Sequence, residues 1–146
     1  MRFTRPWEAF TMPDGNVIWR PTLRVLLWEA SNLEPHHFLV DGGADLSLAS
    51  RDLCDSLGKK WEDGERRILH GISRKEVCQV ESRIHHVDLV VAELGLQITI
   101  PMCFAEGHAP LLLGREGFFE YFRVTFDRQA LLTTFEFVGE LLERET

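Results

Sequence analysis

The sequence predicts a mostly β domain, a barrel or a sandwich, with little helix. Three observations carry this. Apolar and polar residues alternate in several segments, as in strands that bury one face. Turn signals rich in Gly, Pro, Asn and Asp recur at a spacing of about 8–12 residues. Helical spacing of apolar residues appears in one stretch, around Leu53, Cys54 and Leu57.

Taken in order, residues 1–14 are mixed and aromatic. Pro13-Asp14-Gly15-Asn16 is a turn of the kind that closes a hairpin. Residues 17–29 read as an extended segment that Pro21 makes an edge or bent strand, with Leu23, Val25 and Leu27 on one face. Residues 37–40 form a short apolar strand running into Asp41-Gly42-Gly43. Residues 47–57 are expected to be the first helix, capped by Ser47 or Ser50 and ended by Gly58. Residues 59–65 are loop, 66–69 strand and 70–75 a turn. Residues 77–91 alternate, Glu93-Leu94-Gly95 turns the chain, and 96–100 alternate again. Residues 102–104 are taken as a further strand, 107–110 as loop, 114–119 as a short helical turn. Residues 122–127 and 131–138 close the chain as strands, and 141–144 read as a short helical tail. The tally is about eight or nine strands.

The 146 residues and 16.9 kDa fit one domain over residues 1–146. An apolar fraction of 45% and a charged fraction of 27% exclude a disordered or fibrous chain. Ten Phe and four Trp call for a large aromatic core or an apolar partner surface. A net charge of -7 excludes a nucleic-acid binder, which needs clustered Lys and Arg. Apolar runs of three or four residues fall far short of the roughly 20 that span a membrane, so no membrane partner is expected. Cys54, Cys78 and Cys103 form no C-x-x-C pair, and reduced buried thiols in a cytoplasmic protein are expected. His36-His37, His85-His86 and His108 are expected at the surface. Adjacent residues of a strand face opposite ways, so they make poor chelating pairs; no metal and no cofactor are expected.

The segment that carries chemistry is Phe38-Leu39-Val40-Asp41-Gly42-Gly43-Ala44-Asp45. An apolar strand delivers a carboxylate to its end, and small residues after it leave the backbone open to close approach. Alone, Asp-Gly is also a common turn dipeptide. A second element, Leu111-Leu112-Leu113-Gly114-Arg115, follows about 70 residues later, a separation set by the sequence.

Together the two segments resemble the retropepsin-like aspartic proteases. That family shows an apolar strand, Asp-Thr/Ser-Gly-Ala, and later an apolar pair followed by Gly and often Arg. The resemblance covers residues 20–128, leaving N- and C-terminal extensions. It implies a closed acid-protease barrel with one or two short helices. It also implies an aspartic endopeptidase with Asp41 as the catalytic carboxylate. Gly42, Gly43, Ala44 and Asp45 form the motif loop and contact substrate, and Leu113, Gly114 and Arg115 support it. Arg115 is expected to pair with Asp45. Gly71, Ile72 and Ser73 fall where the family has its mobile flap. One motif per chain supplies one carboxylate. The resemblance therefore implies a homodimer, with two Asp41 side chains on its two-fold axis and a peptide or protein as substrate.

Gly42 departs from the pattern, which has Thr or Ser there. That hydroxyl normally bonds across the dimer axis, and losing it costs roughly 1 kcal/mol per bond. The alternative reading is therefore a catalytically impaired domain that dimerises or binds a peptide or partner. An unrelated β-barrel interaction domain is the third.

Overall fold

The computed structural model describes residues 1–28, 34–70 and 79–139. The expected flap residues Gly71, Ile72 and Ser73, together with Cys78 and the expected tail at 141–144, lie outside them.

The chain opens with β1 (Arg2–Pro6) and a hairpin of β2 (Glu8–Thr11) and β3 (Val17–Arg20). β4 (Thr22–Leu27), β5 (His36–Val40), β6 (Ser47–Ser50) and α1 (Arg51–Ser56) follow. After a 3-10 turn at Trp61–Asp63 come β7 (Glu65–His70), β8 (Gln79–Val91), β9 (Leu96–Ala105) and β10 (Leu112–Leu113). α2 (Phe118–Tyr121), β11 (Phe122–Asp127) and β12 (Leu132–Phe137) complete the described chain.

The main sheet runs β4-β5-β10-β6-β9-β8-β7, and β4 also pairs with β8. That extra pairing closes six strands into a barrel. Thirteen residues make β8 long enough for two partners along the edge away from β9: Gln79 to Ile84 pair with β7, and Leu89 to Val91 with β4. β7 and the first part of β8 thus extend from the barrel as an arm. β10 is only two residues long, yet it bonds β5 in parallel and β6 antiparallel, so it joins the two halves.

Alternation explains the core. Leu23, Val25 and Leu27 on β4, Phe38 and Val40 on β5, and Val87, Leu89 and Val91 on β8 fill the interior. Burying each such side chain contributes roughly 1.5–3 kcal/mol. The aromatic surplus forms a second cluster. Phe118 and Phe122 stack at 5.0 Å, and Phe3 and Phe135 at 4.9 Å. This cluster joins α2 to a separate sheet of order β1-β12-β11.

The structure corrects several expectations. Among the described residues twelve strands replace the eight or nine, partly because β1 and β2 occupy the mixed N-terminal stretch. The extended segment at 17–29 breaks at Pro21 into β3 and β4. The helix expected from Ser47 starts only after Ser50. Ser47 and Ala49 are buried in alternation while Ser47–Ser50 pairs with β9. The strands expected at 96–100 and 102–104 are one strand, β9. Pro101 is tolerated there because β6 pairs only from Met102 onward, leaving the second edge of β9 free before it. His85 is half-buried rather than a surface residue, with its ring against Phe104 at 5.9 Å.

Candidate active site

Asp41 is the first residue after β5, and the barrel fixes its backbone. Its N–H donates to the Leu113 carbonyl (3.0 Å), while Leu39 N–H donates to Leu111 (2.9 Å) and Val40 N–H to Pro21 (3.0 Å). Phe38 and Val40 point into the core, so the alternation turns Leu39 and Asp41 the other way. The Asp41 side chain is half-buried. The Gly43 N–H donates to its Oδ1 at 2.9 Å, and the Ala44 N–H to its carbonyl at 3.2 Å. A Cβ on Gly43 would lie 3.3 Å from that Oδ1, so glycine keeps the carboxylate where the N–H can reach it. A Cβ on Gly42 would meet nothing nearer than Phe119 Cε2 at 3.9 Å. A Cβ therefore has room at that position.

The second motif is woven through the first. Gly114 N–H donates to Ser47 Oγ at 3.0 Å in a buried bond. Arg115 N–H donates to the Ala44 carbonyl at 2.8 Å, and Glu116 N–H to the Asp45 carbonyl at 2.9 Å. A Cβ on Gly114 would stand 2.5 Å from the Leu46 carbonyl carbon and oxygen. Only glycine permits this crossing. Leu113 beside it is fully buried. The Arg115 guanidinium also donates to the Asp45 carboxylate; the two side chains are 57% and 83% exposed. An ion pair so exposed contributes about 0–1 kcal/mol, so backbone bonds carry the loop.

Ser47 was hidden from the sequence reading by its place in the expected helix. Its signal is the Ser47/Ala49 alternation, which four residues are too few to make clear. Beside the Asp41 loop lies a cleft of about 290 Å³, between Ala44 to Leu48 on one side and Arg67 and Leu69 of β7 on the other. Cys103 lines it as well, and burial pushes this thiol's pKa up despite the Ser82 hydrogen bond and the charge of Arg67. Among the described residues, no cluster of His, Cys, Asp and Glu could hold a metal ion, and no helix is long and apolar enough to cross a membrane.

No protein-family model matches the chain, and no curated protein matches its sequence. Solved structures do match. The crystal structure of a retropepsin-like aspartic protease from Rickettsia conorii aligns with a TM-score of 0.62 and 16% identity, covering 92% of this chain and 98% of that one. The retroviral protease-like domain of Ddi1 from Leishmania major aligns with a TM-score of 0.52 and 17% identity, covering 84% and 97%. The fold is that of the retropepsin-like aspartic proteases. EIAV protease complexed with the inhibitor HBY-793 also matches, at 26% identity over 66% of this chain and 82% of that one, with a TM-score of 0.40. Within this retropepsin-like barrel, residues 41–45 and 113–115 form one bonded unit, and the expected flap lies outside the described residues.

Proposed function

We propose that the chain is an aspartic endopeptidase that works as a cytoplasmic homodimer on peptide or protein substrates. The observation that carries this is Asp41: a half-buried carboxylate at a strand end, oriented by the Gly43 N–H. The two other Asp-Gly pairs have different settings. Asp14 caps the β2–β3 turn through the Asn16 N–H, and Asp63 ends the 3-10 turn. One chain therefore offers one such carboxylate, and a second copy supplies its partner across a two-fold axis.

In aspartic proteases, two carboxylates about 3 Å apart share one proton, since both cannot ionise. The ionised one takes a proton from water as the oxygen attacks the scissile carbonyl carbon. The protonated one donates to the carbonyl oxygen. The tetrahedral intermediate then collapses as the departing nitrogen is protonated, giving a free amine and a free acid. Gly43 N–H holds the Asp41 carboxylate in place through these steps. The expected flap at Gly71, Ile72 and Ser73 excludes water from the bound substrate.

The test is peptide hydrolysis by the wild-type chain and by Asp41→Asn. Cleavage that disappears in Asp41→Asn supports the proposal, and cleavage that survives rejects it. Gly42 favours a second reading, a peptide-binding dimer with impaired turnover, because glycine lacks the hydroxyl that bonds across the axis. Peptide binding without turnover, with cleavage gained in Gly42→Thr, would select that reading. A Cβ at position 42 is unobstructed within the chain, its nearest neighbour being Phe119 Cε2 at 3.9 Å.

A further inference from the structure

We infer that Arg67 sets the charge preference of the cleft beside Asp41, which selects peptides presenting an acidic side chain among apolar ones. The inference rests on the peptide-binding reading above and names the class of peptide.

The cleft is about 290 Å³, at or below the low end of ligand pockets (roughly 300–1,000 Å³), so it takes a side chain rather than a whole peptide. Its apolar surface comes from Leu46, Leu48, Leu69 and Leu112, all half-buried and so still presenting area to a ligand. Two charged residues line it from different walls, and Arg67 shares its β7 face with Leu69. Asp45 belongs to the motif loop and is already engaged by the Arg115 guanidinium. Arg67 comes from β7, held in register opposite Ser82, whose hydroxyl donates to the Arg67 carbonyl at 2.5 Å.

The Arg67 guanidinium pairs with Glu65 two residues away at 3.3 Å, with side chains 44% and 67% exposed. A pair this exposed is worth about 0–1 kcal/mol, so an incoming carboxylate competes for the fork. The charge of Arg67 also acts on the Cys103 thiol, another residue lining the cleft, against the effect of burial. Its field therefore extends into the cleft. The long-range field has the opposite sign: a chain of net charge -7 repels an acidic peptide. A preference for acid here would have to come from a local cation. A Glu side chain suits the site, with its methylenes on the leucines and its carboxylate on the guanidinium fork.

The test uses the full chain carrying Asp41→Asn, so that binding is read without turnover. The probes are two pools of N-acetylated, C-amidated octapeptides of Ala, Leu, Phe and Ser. One pool carries a single Glu at each position in turn, and the other a single Lys. The Glu pool is expected to bind about threefold tighter or more than the Lys pool, with the gap narrowing in high salt. Arg67→Gln brings the ratio to about one, and Arg67→Glu reverses it. A ratio unmoved by both substitutions, or no binding of either pool, overturns the inference. The two readings fail separately. Wild-type cleavage of both pools without charge preference removes the role of Arg67 and leaves the endopeptidase. Charge-selective binding by a chain that cuts neither pool does the reverse.

Discussion

The Asp41 loop and the N-terminal arm are both fastened to β5, by opposite means. The loop hangs on backbone hydrogen bonds and on a glycine crossing that leaves no room for a Cβ. The arm, β1 with the β2–β3 hairpin, reaches the barrel through charged side chains. Glu8 accepts from Thr22 at 2.5 Å and from His37 of β5 at 2.8 Å, and Arg5 reaches Glu93 at 3.3 Å. The loop should therefore respond to added volume and ignore salt. The arm's contacts with the barrel should respond to charge and pH.

The largest effect expected from this contrast is at Gly114. Gly114→Ala drives a Cβ into the Leu46 carbonyl and should cost about 3 kcal/mol, lowering Tm by roughly 10 °C in a thermal melt. A loss below about 1 kcal/mol would mean that the crossing relaxes freely. Glu8→Gln comes next, at about 1 kcal/mol by urea denaturation, because it removes the charge that Thr22, His37 and Arg5 address. Burial pushes the Glu8 carboxyl up, but the hydrogen bonds from Thr22 and His37 and the charges of His37 and Arg5 hold it below its ordinary 4.5. A depressed carboxyl stabilises the fold above its unfolded value. That contribution fades as pH falls from about 4.5 through the folded value, and Glu8→Gln should erase the fade.

The fold was legible wherever one face of a strand is apolar, as on β4, β8 and the first half of β9. The arm was not, for a physical reason. Arg5 and Glu8 turn toward Thr22, Glu93 and His37, so charged residues stand where an apolar one would have shown the period. Ser47 was misread because its buried hydroxyl serves the Gly114 N–H, and a polar residue in a four-residue strand imitates a helix cap. The two motifs around Asp41 and Gly114 were legible because backbone crossings demand small residues, and small residues leave a mark in sequence. Arg67 left none, since nothing in its neighbours announces that β7 faces the cleft.

A smaller effect is expected at His85. Burial lowers its pKa; the Trp61 carbonyl and Asp63 oppose that, while Lys59 and Arg83 reinforce it. A His depressed in this way stabilises the fold while neutral, fully so above about 6.5, and the contribution is lost as pH falls below that toward the folded value. Denaturation midpoints at pH 7 and pH 5 should differ less in His85→Gln than in wild type. The smallest effect is at Asp45. With that side chain 83% exposed, Asp45→Asn should cost under about 1 kcal/mol of stability by denaturant titration. A larger loss would show that the Arg115 pair holds the loop after all.

The proposed sharing of one active site by two Asp41 carboxylates is open to a direct measurement. Wild-type and Asp41→Asn chains are mixed in varied proportion, allowed to exchange, and assayed for peptide cleavage at constant total chain. A dyad on a two-fold axis predicts activity that follows the square of the wild-type fraction, about a quarter at equal mixing. Activity that falls only in proportion to the wild-type fraction, or that persists in pure Asp41→Asn, would contradict it.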